Sequence, residues 1–275
     1  MAISSLAFGQ VNWLNNPVGA VFSREGGESP QGTFRLSSDG VEVFTLITSD
    51  QTEFYQPASL FYGPNDADKA KVDALAPSGK VASSMNCFAV RVDGNIFLVD
   101  TGLPSSRQGK TLDQLDSLGI KLTDIDAVFI THSHFDHIGG LFEADGKPSF
   151  PNATVFISSK EWDYMESNMA DMASQIKEHY KLAVFEPGGV LPYGVLPIDA
   201  PGHTPGHTVY QLGSLLFVGD ILHGMAVQLI DPEICANFDM NCTESIASRE
   251  KILRYAASRS LTVLGAHVPN NGVIF

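Results

Sequence analysis

The sequence predicts an α/β chain folded as an αββα sandwich, with two mixed sheets and helices on their outer faces. Two observations predict it. Strands joined by hairpins coexist with strands joined through helices, so both sheets are expected to be mixed. The helical stretches carry one apolar side, as helices laid on the outside of sheets do. The 275 residues are 44% apolar and 17% charged, enough for one large core. Residues 1–275 are read as a single domain, with residues 1–40 as an N-terminal extension.

Each element has its own warrant. Residues 25–32 (EGGESPQG) read as a loop and 41–48 (VEVFTLIT) as a strand. Residues 63–80 are polar, with two prolines, and read as a connection holding one short helix. Strands at 88–92 and 96–99 flank Asp93-Gly94, a pair suited to a tight primed turn. Leu112, Leu115 and Leu118 are spaced as on a helix, which Gly119 stops. Apolar strands are expected at 125–130 and 154–157. Ser158 with Glu161 makes a capping box that opens the next helix. Further strands are expected at 195–199, 208–212, 215–218 and 261–264. A helix over 243–259 places Ile246, Ile252, Leu253 and Ala256 on one side.

The formal net charge of −14 repels phosphate backbones, so nucleic acid is not an expected partner. No apolar run approaches the ~18 residues of a membrane span. The opening MAISSLAFGQ lacks Lys and Arg and makes a poor secretory signal. A soluble, cytoplasmic protein is the expectation. Cys87, Cys235 and Cys242 are an odd set with no C-x-x-C pair, and are expected as reduced, buried thiols.

The chemistry concentrates in FITHSHFDHIGG, residues 129–140. A buried strand ends, and a turn presents His132, His134, Asp136 and His137. Imidazole and carboxylate are the ligands borderline divalent metals prefer. Four within six residues do not fit one ion, so His132 and His134 are assigned to one metal, Asp136 and His137 to another.

Four more motifs stand in order around this one: LVDTG at 98–102, PGHTPGH at 201–207, VGD at 218–220 and GAH at 265–267. With these five the sequence resembles the metallo-β-lactamase superfamily, from about residue 41 to the C-terminus. The resemblance implies a first metal on His132, His134 and His207, and a second on Asp136, His137 and His267. Asp220 would bridge them. It gives the second histidine of PGHTPGH the ligand role and leaves His203 in support. Asp100 would brace the His-rich turn by accepting hydrogen bonds from it. His223 stands where lactonases of the superfamily often carry a substrate-contacting Tyr, so it is a proton-donor candidate beside Asp136. His179 reads as a solvated surface residue.

The branch follows from details. His134 stands where the oxygen-reducing di-iron branch has Glu, which favours hydrolysis. Asp220 is a carboxylate that true β-lactamases of this fold lack. The chain stops eight residues after His267, so neither a glutathione-binding helical domain nor a further strand is expected there. The stretches at 150–164 (FPNATVFISSKEWDY) and 219–233 (GDILHGMAVQLIDPE) resemble the methyl parathion hydrolase and quorum-quenching lactonase group. The implied activity is attack on a lactone or carboxylic ester by a water shared between two divalent metals, zinc by default. The alternative is organophosphate triester hydrolysis; a thioesterase and a non-catalytic binding protein rank below. The expected partner is a small-molecule ester, lactone or phosphotriester, with a homodimer implied by the resemblance. Phe22, Phe61, Tyr62, Phe135 and Trp162 are candidates for an apolar substrate wall, with core packing expected for most.

Overall fold

The computed structural model describes residues 33–38, 40–48, 54–269 and 271–274. The 25–32 loop and residues 1–32 of the proposed extension lie outside them. The strands in chain order are β1 (Thr33–Ser38), β2 (Val41–Ile47), β3 (Phe54–Pro57), β4 (Lys80–Ser83), β5 (Asn86–Val92), β6 (Asn95–Val99) and β7 (Ala127–Phe129). Then come β8 (Thr154–Ser158), β9 (Lys181–Phe185), β10 (Leu196–Asp199), β11 (Thr208–Leu212), β12 (Leu215–Gly219), β13 (Thr262–Gly265) and β14 (Val273–Ile274). The α-helices are α1 (Lys69–Leu75), α2 (Thr111–Ser117), α3 (Phe135–Ile138), α4 (Ser159–Asn168), α5 (Ala170–His179), α6 (Met225–Gln228) and α7 (Cys242–Arg259).

The two large sheets have the orders β1-β2-β5-β6-β7-β8-β9 and β10-β11-β12-β13-β14, and β3 and β4 form a separate antiparallel pair. Each large sheet is mixed. β1, β2, β5 and β6 pair antiparallel, while β6 to β9 pair parallel. In the second sheet only β12 and β13 are parallel. The β5–β6 hairpin turns through Asp93 and Gly94, both at positive φ (48° and 79°), as a primed turn requires.

Three apolar layers follow. Phe88, Val90, Phe97 and Phe129 of the first sheet meet Tyr210, Leu212, Phe217 and Leu264 of the second. Phe88 packs edge-on to Phe217 at 5.4 Å, and Phe129 lies 5.5 Å from Tyr210. On the outer face of the first sheet, Leu115, Trp162, Met165 and Ile176 from α2, α4 and α5 cover Leu98, Val128 and Val155. Ile252 and Ala256 of α7 cover Val209, Leu216 and Val263 on the second. The arrangement is the expected αββα sandwich. A fourth cluster, including Phe61, Val72, Val81 and Val227, joins α1, β4 and α6 beside it.

Three expectations are corrected, and one strand, β9, was not foreseen. Residues 33–38 are not outside the fold: β1 is the edge strand of the large sheet. Val273–Ile274 pairs with β13, so a strand does follow His267. β9 carried no sequence signal, because its residues are mostly half-exposed and do not alternate. Cys235 and Cys242 form a disulfide, with Cα atoms 5.7 Å apart. The turn before α7 folds back on the helix start and brings them together. Only Cys87 is a free, buried thiol, and burial pushes its pKa up to about 12. Among the described residues no helix is long and apolar enough to cross a membrane.

Phe129 is fully buried between the sheets and stacks on Phe156 at 4.9 Å. Phe129→Ala should therefore cost about 3–5 kcal/mol. A shift of the urea midpoint at unchanged slope is the expected reading; a loss below about 1 kcal/mol would contradict this core assignment.

Candidate metal centre

The predicted side chains converge because strands deliver them at one rim. β7 ends into the turn carrying His132 and His134, and α3 then carries Asp136 and His137. The parallel neighbours β12 and β13 end at Gly219 and Gly265, followed by Asp220 and His267. Gly219 sits at φ 52°, and a Cβ there would lie 2.7 Å from the His207 ring and 3.0 Å from Thr131. The crowding under the ligand turn leaves no room for a side chain.

Asp220 stands at the centre. Its Oδ2 lies 3.7 Å from His132 Nε2 and 3.2 Å from each Nε2 of His203 and His267. Its Oδ1 lies 3.1 Å from His137 Nε2. Asp220 belongs to two groups of potential ligand atoms, one with His132, His134 and His203 and one with His223 and His267. Asp136, His137 and His267 form a third, and His203, His223 and Asp239 a fourth. His134 Nδ1 faces His203 Nε2 at 2.9 Å. His132 Nε2, His137 Nε2 and Asp220 Oδ1 are buried with no hydrogen-bond partner. Orphaned lone pairs aimed at one point are what a cation satisfies, so the residues fit the metal the sequence implies.

Of the two histidines of PGHTPGH, it is His203 that reaches the cluster, where His207 was expected. His207 stands outside all four groups. It accepts the Asp220 backbone N–H at 3.0 Å, packed beneath the ligand turn. His207 immediately precedes β11 and points inward with it, whereas His203 lies at the tip of the turn and reaches the cluster. His223, the third candidate catalytic residue, is also there: its Nε2 is 3.1 Å from Asp220 Oδ2, and its ring stacks on His267 at 5.2 Å. His179 is exposed, as expected.

Supporting contacts set the ring orientations. Asp100 accepts from the Thr131 N–H at 2.8 Å and hydroxyl at 2.7 Å, and from His137 Nδ1 at 2.7 Å. This is the brace the sequence anticipated. His267 Nδ1 donates to the Ser84 carbonyl at 2.8 Å. With Nδ1 so engaged, Nε2 is the nitrogen of each ring that faces the cluster. Sequence reading missed Glu161. The Ser158 hydroxyl does cap α4 by accepting the Glu161 N–H. The Glu161 carboxylate turns away, accepting from Ser133 N–H and hydroxyl, from Thr204 hydroxyl, and from Gly206 N–H. One buried carboxylate thereby ties together two ligand-bearing turns.

Burial and neighbouring charge oppose each other here. Burial would raise Asp220, but the imidazoles, His137 and His267 first, hold it well below the usual carboxylate range. Burial would lower His267, yet Asp220 and Asp136 hold it up at about 10. In His134 burial wins, with His203 assisting, and the pKa falls to about 4. Burial, then His203, lowers His207 to about 3.

A model of the metallo-beta-lactamase superfamily matches residues 82–267. The chain belongs to that superfamily. A hydroxyacylglutathione hydrolase from Methylobacillus flagellatus is 33% identical over 131 residues, 48% of this chain and 44% of the relative. The chain spans less than two thirds of the first curated relatives it matches. Among solved structures, the dizinc quorum-quenching lactonase AidC superposes with a TM-score of 0.78 at 24% identity. AbOPH, a hydrolase in the beta lactamase superfamily, gives 0.76 at 25%. Each superposition covers 88% of this chain and 92% of the other.

The aromatic wall divides. Phe61 and Trp162 are core residues. Tyr62 donates to Asp73 with Lys69 over its ring, and Phe135 lies under Arg107. Phe22 lies outside the described residues. An aromatic the sequence did not single out, Phe238, is 42% exposed and lies 5.6 Å from the His223 ring.

His207 should govern acid sensitivity of the metal-free protein. Unfolded, it protonates near pH 6.5; folded, it resists until about 3. Its contribution is full above pH 6.5 and is lost as pH falls toward 3. His207→Gln keeps an acceptor for the Asp220 N–H and does not titrate. Its urea midpoint should fall less between pH 7 and 4.5 than the parent's; equal falls would show that His207 does not carry the effect.

Proposed function

We propose that the chain is a two-cation hydrolase acting on a lactone or carboxylic ester. The observation that supports this reading most is that two groups of potential ligand atoms, one with His132, His134 and His203 and one with His223 and His267, share Asp220. Its Oδ1 also faces His137 Nε2 at 3.1 Å. His132 Nε2, His137 Nε2 and Asp220 Oδ1 are buried without a hydrogen-bond partner among the described residues. His132, His134, His203 and Asp220 would hold the first cation; Asp136, His137, His267 and Asp220 the second. Divalent cations there, zinc by ligand type, supply Lewis acidity and a nucleophilic water at neutral pH.

The chain's own residues do the rest. Asp220, fixed through its backbone by His207, keeps the two groups in register. Asp136 is the most exposed of the carboxylates there, its side chain 26% accessible. Its Oδ2 faces His137 and His267 at 3.7 and 3.4 Å. Oδ1 is then the atom that takes the proton from water and passes it to the leaving oxygen. His223 Nε2 faces Asp220 Oδ2 at 3.1 Å and its Nδ1 has no partner among the described residues, so Nδ1 is the atom left to meet a substrate group. Its backbone N–H is held by Gln228 at 2.8 Å, which fixes the approach. Cys87 does not compete as a nucleophile, because its thiol is buried and held protonated at neutral pH.

Similarity to a dizinc lactonase over most of both chains supports the lactone. The resemblance of residues 219–233 to methyl parathion hydrolases supports phosphotriesters as the second reading. Assay of the protein on an N-acyl homoserine lactone, dihydrocoumarin, an aryl ester and methyl parathion separates them. Two zinc ions per chain and chelator-sensitive lactone or ester turnover are expected. His203→Ala should lose one ion and at least about 100-fold in kcat/KM, while His207→Gln keeps both ions. Turnover that survives metal removal would end the reading, and faster methyl parathion cleavage would promote the second.

A further inference from the structure

The turn from Cys235 to Cys242 carries Asp239, whose side chain is fully buried. Its two oxygens face different partners. Oδ1 accepts from His203 Nδ1 at 3.0 Å. Oδ2 accepts from Arg249 Nη2 at 3.2 Å and from the Ala236 N–H at 3.1 Å, with Cys235 Sγ 3.5 Å away. Arg249 of α7 is buried too, and its other donors are spent on the Ile221, Pro232 and Ile234 carbonyls and the Ser245 hydroxyl. The guanidinium is thus an immobile anchor behind Asp239.

The start of the turn is anchored, with Ala236 buried beside Phe61 and Val227 and Asn237 N–H donating to the Leu60 carbonyl at 2.7 Å, but its tip is exposed. Phe238 and Met240, flanking Asp239, are 42% and 53% exposed. It is joined to the His203 turn by two backbone bonds, Met240 N–H to the His203 carbonyl and Asn241 N–H to the Gly202 carbonyl. Its two ends are joined to each other by the Cys235–Cys242 disulfide. A cavity of about 260 Å³ lined by Pro64, Cys235, Asn237, Met240 and Cys242 borders that bond, and Cys242 is only half-buried. A small thiol can reach it.

We propose that Asp239 is a positioning residue for His203, and that the Cys235–Cys242 disulfide is the clasp that keeps it there. First-site cation affinity then follows the oxidation state of this cysteine pair. The inference rests on the two-cation reading. By accepting the Nδ1 proton, Asp239 turns His203 Nε2 toward His134 and Asp220. The second group draws its orientation from elsewhere: Asp100 holds His137, and the Ser84 carbonyl holds His267. Loosening the turn therefore weakens one site and spares the other. Opening the bond takes two electrons and two protons from a dithiol, which closes to its own disulfide as Cys235 and Cys242 become thiols.

The test is titration of the metal-free full chain with Co²⁺ alone, followed by visible absorption and chelator competition. His203→Ala and Asp136→Asn variants identify the bands of the first and second sites. Asp239→Asn and the Cys235→Ser/Cys242→Ser pair are then compared with the parent, with thermal unfolding as the check on folding. Both should weaken the first ion by about tenfold or more and leave the second within about twofold. Should Asp239→Asn fail to fold around the unpaired Arg249, the cysteine pair and the dithiol-reduced parent, freed of reductant, decide. First-site affinity unchanged in the folded cysteine variant, or equal weakening of both sites, would overturn the inference. A parent that binds no Co²⁺ would remove the two-cation reading and this inference with it; two ions in the parent and in unaltered variants would overturn the inference alone.

Discussion

A carboxylate removed from water needs compensating charge, and Asp220 is placed where five imidazoles can supply it. His132, His137, His203, His223 and His267 all bring a nitrogen within 3.7 Å of its oxygens. Neutral imidazoles alone would leave lone pairs facing one another. The cluster is therefore stable only with protons or cations in it, and the surrounding fold is organised to hold it in that state. The parallel pair β12–β13 aligns Asp220 with His267, and β7 brings the His-rich turn to the same rim. Gly219 lets His207 and Thr131 pack directly beneath. Behind His137, His267 and His203 stand fixed acceptors: Asp100, the Ser84 carbonyl and Asp239.

The sandwich and most of the site were legible because they are written in local patterns. Apolar runs gave the strands, Asp93-Gly94 gave a hairpin, and the ligands follow strand ends at family spacing. What escaped was set by tertiary partners. His203 and His207 share one turn, and spacing does not say which ring faces the cluster. Arg249 was not singled out on the 243–259 helix, yet it is fully buried by carbonyls and Asp239. The signal was present in part, since Ser245, Ser248, Arg249 and Ile252 share one side of α7 at helical spacing. Cys235 and Cys242 paired for the same reason: the turn is drawn in by Asp239, and no Cys spacing rule records that. Glu161 looked like a capping residue because its backbone N–H does cap; its side chain serves a different pair of turns.

The order in which the cluster's residues occur along the chain has a consequence for how the protein matures. His132, His134, Asp136 and His137 lie within one turn, but His203, Asp220 and His267 come from three later segments. Closing those long loops is entropically slow and waits for the two sheets to dock. During synthesis the early turn emerges with only its own four ligands, a weak and unselective chelator. The selective pocket exists only once β13 has paired beside β12 and carried His267 into place. On the two-cation reading, metal choice would be deferred to the last stage of folding, when geometry rather than the first ion encountered decides what is kept.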